Sequence, residues 1–530
     1  MDPGRRRTLA AIAASAAGFA FPSSIRSHGS GTVGTAWGTM PSYSAGPVWT
    51  TEPDIRVLEI HLYGGLSMWE TFYCRPPAAP DRFRGFTPLA FGACDTFTDP
   101  DPGVFATNAA GNAVHLGVIT KPLWAPAILD KMRIVALSHR FEPHEGAIPV
   151  ALTGFELGNP RLAGLGAAIQ HHFAHHDILA GTPPTKPYSY VCWPESFSFP
   201  TDNLQASAAS GMHDAFAKPL VMRIGASTAA LLGLLQRTGI RSERDAVLNH
   251  YVKSYGNQLR HASIADHKRA RSRGFVSFES SAEMIKSAPG LNTLLSAPAS
   301  PLSGPFTQTA ACPASIFGTT AVDNMPGHAI KLAAYLLSQT GAGAPRYACV
   351  IDKGLREHSM GGGYDTHGSQ HIEHTQVNLY NVLATLRQLI DAGTIDLNRV
   401  MIVLSTEFGR TTGVNRDHWP WGFCNVLIGG PVTRGVSGAL HDTFFGAAAA
   451  QDGRADPTPA PAPTAGNPFP VPRSFAPADL RAAILVAANI YPFENEQFAV
   501  RDISFAGAGS DHRSLMMALK TGVLGATLGA

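Results

Sequence analysis

Short, almost continuous apolar runs recur along the chain, and each is bounded by glycine or polar residues. The strongest runs are RVLEIHLY (56–63), MRIVALS (132–138), RYACVID (346–352), the residues 399–405 and NVLIGG (425–430). Runs of this length without polar alternation are typical of inner strands that are covered on both faces. We therefore predict a buried sheet that includes these five segments.

The second half of the chain also shows helical periodicity. Between the third and fourth strand runs, apolar residues recur at helical spacing over about 370–392, and Gly393 follows as a stop signal. Further helices are predicted at about 327–339 and 477–489. Strand–helix–strand order with apolar strands is typical of right-handed crossovers, so the fold class is α/β with a mostly parallel central sheet.

The stretch from about 160 to 330 is less regular than its surroundings. Helical patterns at 226–238 and 241–270 are separated by loops rich in proline and serine, which predicts a largely helical insertion in one α/β domain spanning 51–530. The segment ADPTPAPAPTAGNPFPVP (455–472) is rich in proline and alanine and is predicted to be a solvated loop.

The N-terminal residues 1–20 have the pattern of a twin-arginine export signal. Arginines at 5–7 precede a mild, alanine-rich apolar run over 9–20, and residues 21–50 are rich in glycine, serine, threonine and proline. We predict a signal peptide, a linker at 21–50, and a periplasmic or secreted protein. No later stretch reaches 18 consecutive apolar residues, so no transmembrane span is predicted.

Composition narrows the class of protein further. The chain has 530 residues, of which 45% are hydrophobic and 15% charged, with a formal net charge of +2. These values describe a globular protein without the basic surface that nucleic-acid binding requires. The six cysteines include no Cys-x-x-Cys pair, which excludes a structural zinc motif of that spacing and a thioredoxin motif.

Residues that can bind a metal follow the ends of two predicted strands. Asp365 and His367 lie in the glycine-rich loop after the third run, Glu407 directly follows the fourth, and Asp417 and His418 end the next loop. Ligand sites of parallel sheets collect beyond the carboxyl ends of the strands. Carboxylate and imidazole together suit zinc, manganese or iron, and a carboxylate-rich set also suits calcium or magnesium. We predict a divalent metal site of unspecified identity at this edge.

Each motif taken alone also has an ordinary structural explanation. The sequence around Asp365 is typical of a turn, and Glu407 could form an internal ion pair with Arg410. The arrival of all three segments at one sheet edge is what favours the metal site.

Several of these segments resemble a known family. HLYGGLSMWETF (61–72), GGYDTHGSQ (362–370) and VMIVLSTEFGRTTGVNRDHWPWGFCNVLIGGPV (400–432) are similar to the domain of unknown function 1501 family. These are exported bacterial proteins of the sulfatase and alkaline phosphatase superfamily. The resemblance extends in order over about 56–490, and it implies a three-layer α/β/α, alkaline-phosphatase-like architecture with a metal-centred site at the sheet edge.

The resemblance also shows where this chain departs from the superfamily pattern. Leu62–Gly65 stand where the superfamily has a metal-binding Asp, so that ligand is absent unless His61 or Glu70 substitutes. Thr406–Gly409 is similar to a third superfamily motif, in which Phe408 replaces a ligand. Fewer carboxylates balance fewer cations, so the resemblance implies one metal rather than two.

The segment HEGAIPVALTG (144–154) is similar to the helix that carries the superfamily's nucleophile, and it places His144 at the nucleophile's position. Three roles for His144 are open: a further ligand, a general base for a metal-activated water, or a phosphoryl-accepting nucleophile. The general-base role places the fewest demands on the geometry of the site. Under that interpretation, Arg410 stabilises the developing anion.

Two functions remain open at this point. One is a metal-dependent hydrolase of a small phosphate or sulfate ester, and the other is a non-catalytic periplasmic or surface binding protein that recognises an anion or a glycan. A serine hydrolase that uses Ser67 is a third and weaker alternative, because no Gly-x-Ser-x-Gly elbow is present.

Overall fold

The computed structural model of the protein describes residues 54–74, 103–159, 161–179, 187–194, 219–224, 247, 250, 251, 254, 288–301, 324–341, 343–355, 363–365, 367, 371–411, 417–440, 474–493, 498–504 and 512–526. The predicted export signal, the linker at 21–50 and the loop at 455–472 lie outside the described residues. The division of the chain into domains stays a prediction.

The described part of the chain contains one large sheet and two short ribbons. The strands are β1 (Arg56–Leu62), β2 (Val104–Thr107), β3 (Ala113–His115), β4 (Met132–Leu137), β5 (Ser189–Pro194), β6 (Leu220–Ile224), β7 (Tyr347–Asp352), β8 (Val400–Ser405), β9 (Gly409–Arg410), β10 (His418–Trp419), β11 (Phe423–Gly429) and β12 (Gly435–Ser437). The eight-stranded sheet has the order β12–β4–β11–β8–β1–β7–β5–β6, and β2–β3 and β9–β10 form the ribbons.

The large sheet is mostly parallel. All of its strands run in one direction except β11, which is antiparallel to both β4 and β8. The five predicted strand runs are β1, β4, β7, β8 and β11. Strands β7 and β8 flank β1 in parallel register, so the helix between them connects two parallel strands. The α/β class with a mostly parallel sheet is therefore confirmed.

Helices α1 (Pro126–Leu129), α2 (His144–Thr153), α3 (Leu165–Leu179), α4 (Ala288–Leu295), α5 (Met325–Ser338), α6 (His371–Asp391), α7 (Pro477–Ala487) and α8 (His512–Gly522) accompany the sheet. Two 3-10 helices lie at Val118–Leu123 and Val500–Asp502. The helices predicted at about 327–339, 370–392 and 477–489 correspond to α5, α6 and α7.

Apolar side chains cover the sheet on both faces. In β1, Leu58, Ile60 and Leu62 belong to one buried cluster together with apolar residues of α5 and α6. Val57 belongs to a second buried cluster with α2, α3, α7 and α8. Alternate residues of a strand point to opposite faces, so the apolar residues of β1 cover both faces of the sheet, and its polar residues Arg56, Glu59 and His61 are buried with them.

Two strands inside the stretch 160–330 belong to the central sheet. Strand β5 pairs in parallel with β7, and β6 pairs in parallel with β5 at the edge of the sheet. The sequence pattern does not predict these strands, because it indicates a largely helical insertion for the whole stretch. Helix α3 of the same stretch packs in the second apolar cluster.

No helix among the described residues is long and apolar enough to cross a membrane.

Candidate metal centre

The carboxyl ends of β1, β4, β7 and β8 meet at one edge of the sheet, and the loops that follow them carry the polar residues of interest. The loop after β1 contains Gly64 and Gly65, and helix α2 begins at His144 after β4. Glu407 follows β8 directly, and strand β10 brings His418 to the same edge beside β9. Residues far apart in sequence are thus brought together by the parallel topology.

The two glycines after β1 allow these loops to pack closely. Gly64 has φ +114° and Gly65 has φ +94°, values that side-chain-bearing residues rarely adopt. A Cβ atom on Gly64 would lie 1.9 Å from the backbone nitrogen of Asp365, and one on Gly65 would lie 2.6 Å from the ring of Phe408. The site therefore depends on two positions that only glycine can occupy.

Asp365 is at the centre of the site. Its Oδ1 lies 3.2 Å from Nε2 of His367 and 3.3 Å from Nε2 of His418, and its Oδ2 lies 3.3 Å from Nε2 of His144. Burial opposes the charge of Asp365, but its contacts with His144, His418 and Arg410 outweigh this effect and hold its pKa well below the usual value. The carboxylate is therefore charged at any ordinary pH.

His144 begins helix α2 and has both ring nitrogens directed at carboxylates. Nδ1 lies 2.9 Å from Oε1 of Glu407, whereas the buried Nε2 near Asp365 has no hydrogen-bond partner of good geometry among the described residues. Burial lowers the pKa of His144, but the contacts with Asp365 and Glu407 outweigh it and raise the pKa to about 9. An unpartnered nitrogen aimed at a carboxylate is a position where a cation would complete the bonding.

His418 is oriented in the same way as His144. Its Nδ1 lies 3.2 Å from the carbonyl oxygen of Glu142, to which it can donate, and its Nε2 lies 3.3 Å from Oδ1 of Asp365. The corresponding partner of Nδ1 in His144 is the carboxylate of Glu407. Metal-binding histidines usually have a hydrogen-bond partner on one ring nitrogen, which fixes the ring and leaves the other nitrogen for the cation.

Glu407 lies behind His144. Its Oε1 accepts a hydrogen bond from the backbone nitrogen of Gly64 at 2.7 Å in addition to its contact with His144. The side chain is fully buried; burial opposes its charge, but the contacts with His144 and His61 lower its pKa nonetheless. The sequence predicts Glu407 as a metal ligand. In the structure, Glu407 reaches the site as the hydrogen-bonding partner of His144, which is itself a candidate ligand.

Two groups of side chains in the described part of the chain have ligand atoms within 4.8 Å of one another. The inner group consists of His144, Asp365 and His418, and the outer group of His367, Asp417 and His418. The outer group is open to solvent, because the side chains of His367 and Asp417 are 50% and 61% exposed and their nearest atoms are 4.0 Å apart. The inner group is the better-built candidate.

The separations in the inner group fit a bound ion. In four-coordinate zinc sites with metal–ligand distances of about 2.0–2.1 Å, neighbouring ligand atoms are about 3.3 Å apart. The two Nε2–oxygen distances from Asp365 to His144 and His418 are both 3.3 Å. The spacing of the inner group therefore suits a divalent ion. The sequence predicts a metal site with histidine and aspartate ligands, and the described residues contain His/Asp groups that could form one.

Arg410 is fully buried, and its guanidinium bonds to Asp365 and to the backbone of the neighbouring loops. Its Nη2 donates to Oδ1 of Asp365 at 2.8 Å, to the carbonyl of Tyr364 at 3.1 Å and to the carbonyl of Gly64. Its Nε donates to the carbonyl of Gly65 at 3.1 Å. One guanidinium thus holds together the loops after β1 and β7. Its Nη1 lies 3.4 Å from Nε2 of His367, whose side chain is half exposed.

Aromatic rings form one wall of the site. The ring of Phe408 stacks on His418 with centroids 4.3 Å apart and lies 5.0 Å from the ring of His144. Tyr63 also stacks on His144, with ring centroids 5.2 Å apart. Phe408 packs against both histidines, whose own rings are 4.6 Å apart, and its apolar ring offers no ligand atom.

Two further histidines support Glu407, and the sequence pattern singles out only one of them. His139 lies just after β4, and its Nε2 donates to the carbonyl of Glu407 at 2.6 Å, while burial lowers its pKa to about 4 and keeps it neutral. Its position beyond a strand end is the signal that could have identified it. His61, the candidate substitute ligand, lies behind Glu407, with Nε2 3.5 Å from Oε2.

Ser67, the candidate for a serine hydrolase, is fully buried and its hydroxyl donates to Glu70. Ser67 and Glu70 belong to neither of the two groups with metal-ligand spacing.

The fold and the site define an α/β protein with a histidine–aspartate cluster at the carboxyl edge of a mostly parallel sheet. The model of the family described as "Protein of unknown function (DUF1501)" matches residues 319–454. This match supports the resemblance to the domain of unknown function 1501 family over the segment that carries Asp365, His367, Glu407, Arg410, Asp417 and His418. No curated protein and no solved structure matches the chain.

Proposed function

We propose that the protein is an exported, metal-dependent hydrolase of small phosphate or sulfate esters. The observation that carries the proposal is the convergence of His144, His418 and His367 through their Nε2 atoms on the single carboxylate of Asp365, at 3.2–3.3 Å. The arginine-rich start of the chain supports export, and the mostly parallel sheet with apolar clusters on both faces supports a three-layer, alkaline-phosphatase-like fold.

The inner group is the proposed holder of the metal. Two imidazoles and one carboxylate are the donor set of catalytic zinc and of non-haem iron sites, whereas calcium and magnesium prefer oxygen ligands. His144 is assigned as a ligand rather than as a general base, because its Nδ1 is engaged by Glu407 and its Nε2 faces Asp365. A divalent ion held there would polarise an ester oxygen and make water more acidic.

The remaining residues supply positioning and proton transfer. Arg410 is fully buried and fixes Asp365 through Nη2, so its positive charge favours an anionic oxygen of the substrate that is held beside Asp365 and His367. Burial and the neighbouring Arg410 lower the pKa of His367, so this half-exposed imidazole is neutral at pH 7 and can accept a proton. The catalytic base of the proposal is therefore His367.

A second function rests on a different observation. His144 stands where the superfamily has its nucleophile, and both of its ring nitrogens face carboxylates, which leaves neither ready to attack a substrate. A protein that binds metal and an anion without turning it over would have this arrangement. Such a protein would keep the affinity for anionic ligands and lack hydrolysis.

Metal analysis combined with hydrolysis assays tests the proposal. The purified protein is expected to hold one divalent ion per chain, and Asp365→Ala and His418→Ala are expected to lose it together with hydrolysis of aryl phosphates or sulfates. The control is Asp479→Asn, which changes a fully buried carboxylate of α7 outside the site. Metal without hydrolysis supports the binding protein, and hydrolysis that survives both alanine variants contradicts the proposal.

A further inference from the structure

Tyr63 is the first residue after β1, and its backbone is fixed on both sides. Its N–H donates to the carbonyl of Asp352 at 3.0 Å, and its carbonyl accepts from the backbone nitrogen of Tyr364 at 2.7 Å. The next residue, Gly64, donates its own N–H to Glu407 at 2.7 Å. Tyr63 is therefore held where the loops after β1, β7 and β8 meet at the candidate metal centre.

The side chain of Tyr63 lies against a candidate metal ligand. Its ring is nearly parallel to the ring of His144, with an interplanar angle of 28° and ring centroids 5.2 Å apart. Tyr63 is only 7% exposed, so most of its ring is covered. A covered and stacked ring has few orientations open to it, so its hydroxyl has a defined position.

The hydroxyl of Tyr63 is an available donor within the electric field of the site. It makes no hydrogen bond to any of the described residues, and it is not one of their buried polar atoms that lack a partner, so water reaches it. Burial and the carboxylates of Glu407, Asp365 and Glu145 raise its pKa, and Arg410 is near enough to lower it. The hydroxyl therefore keeps its proton at ordinary pH and lies close to the charged groups of the site.

The charges of the site favour an anion once a divalent ion is bound. Asp365 and Glu407 together cancel the charge of one such ion, and the fully buried Arg410 adds a positive charge. Glu145 is exposed, so water screens its charge. An anionic oxygen held there needs hydrogen-bond donors. Arg410 already donates to Asp365 and to backbone carbonyls, whereas the hydroxyl of Tyr63 has no acceptor among the described residues.

We propose that Tyr63 binds the anionic ligand: its hydroxyl donates a hydrogen bond to an oxygen of a phosphate or sulfate group held at the inner group. Tyr63 is then a substrate-binding residue that acts beside His144 and does not touch the metal. This inference rests on the proposed metal site. It applies to the hydrolase and to the binding protein alike, because both bind an anion.

Calorimetric titration of the zinc-loaded protein with inorganic phosphate and with inorganic sulfate tests the inference. Tyr63→Phe removes the hydroxyl and keeps the ring that stacks on His144, so the zinc content and the free energy of unfolding are expected to match the wild type. Loss of one hydrogen bond to a charged group is expected to weaken anion binding at least about 10-fold. The anion that the wild-type protein binds more tightly identifies the class of ester.

The control is Tyr335→Phe, which removes a hydroxyl of α5 that donates to the carbonyl of Leu294 at 3.1 Å. This variant makes the same chemical change outside the site, and it is expected to keep the wild-type zinc content and anion affinity.

The outcomes separate this inference from the proposed hydrolase. A protein without zinc would overturn both, and a zinc-loaded protein that binds neither anion would overturn the role of Tyr63. Equal anion affinities of the wild type and Tyr63→Phe, or a loss of zinc from Tyr63→Phe, would overturn that role alone. Weaker anion binding by a zinc-loaded Tyr63→Phe supports it. If the wild type then hydrolyses neither aryl phosphates nor aryl sulfates, the hydrolase fails and Tyr63 remains the anion-binding residue of a non-catalytic protein.

Discussion

Nδ1 of His144 lies 2.9 Å from Oε1 of Glu407, and the two residues are 263 positions apart in the sequence. One follows β4 and the other follows β8, and β11 lies between these two strands in the sheet. The pair leaves Nε2 of His144 directed at Asp365, so a contact between two distant loops fixes which nitrogen of the histidine faces the candidate metal.

The first prediction concerns Glu407. Glu407→Gln keeps the size of the side chain but removes the charge that holds the Nδ1 proton of His144, so zinc affinity is expected to fall about 10–100-fold. Competition titration against a chromophoric chelator measures the change. Asp479→Asn makes the same chemical change at a buried carboxylate of α7 and is expected to leave the affinity unaltered. Equal losses in both variants would assign the effect to general destabilisation.

The second prediction is the pH dependence of stability in the metal-free protein. The pKa of His144 is raised to about 9 from a reference value of 6.5, so its proton stabilises the folded state fully below pH 6.5. This contribution is lost as the pH rises through about 9, and it amounts to on the order of 2–3 kcal/mol in the free energy of unfolding. Asp365 and Glu407, whose pKa values are lowered, stay ionised throughout this window.

Urea unfolding between pH 6 and pH 10 measures this effect as a difference between the wild-type protein and His144→Asn. The free energy of unfolding is expected to fall more steeply with pH in the wild type than in the variant. Zinc competes with the proton on His144, so the stabilisation by added zinc is expected to grow over the same pH range. Parallel curves for the two proteins would show that His144 is not the group responsible.

Most of the sheet can be predicted from the sequence, for a physical reason. Strands β1, β7 and β8 are buried on both faces, and such burial favours mostly apolar runs that can be recognised without the structure. Strands β5 and β6 escape prediction because their short apolar runs lie in a stretch whose helical patterns and proline- and serine-rich loops indicate a helical insertion.

The sequence predicts which residues make up the candidate site, but not which of them face a metal directly and which act through a neighbour. Parallel topology brings strand ends together, which is why Asp365, His367 and His418 can be found from the sequence. Whether Glu407 binds a metal directly or through His144 depends on rotamers and on the close approach of Gly64, and no periodicity encodes these. The sequence therefore identifies the participants, and only the structure gives their order around the candidate metal.

The third prediction concerns Gly64. Gly64→Ala forces a Cβ to within 1.9 Å of the Asp365 nitrogen, so the loop after β7 must move, and both stability and metal binding are expected to be lost. Gly111→Ala is the matched control, because its φ of +87° is similarly strained but no atom lies within 4 Å of its Cβ. The control is expected to lose about 1–2 kcal/mol and to keep its metal.

Thermal unfolding and metal content of the two alanine variants distinguish backbone strain at the substituted glycine from displacement of the loop that carries Asp365. A Gly64→Ala protein with the same loss as Gly111→Ala and a full complement of metal would show that the loops of the site are not as tightly packed as we infer.

The fourth prediction concerns the buried ion pair between Arg481 and Glu59, whose nearest atoms are 2.6 Å apart and whose side chains are 1% and 0% exposed. Arg481→Met leaves a buried carboxylate without its cation and is expected to cost about 3–5 kcal/mol in the free energy of unfolding. Combining Arg481→Met with Glu59→Gln removes the stranded charge, and the new amide oxygen can still accept the hydroxyl proton of Tyr347. The double variant is therefore expected to be more stable than Arg481→Met alone.

Urea unfolding of the two single variants and the double variant measures how strongly the buried charges depend on each other. The exposed pair Arg140–Glu156 is the control, and breaking it is expected to cost less than about 1 kcal/mol because solvent screens both charges. Losses at Glu59 and Arg481 that simply add would mean that the two charges do not support each other. A double variant more stable than Arg481→Met would instead show that the cost arises from the carboxylate left alone in the apolar cluster.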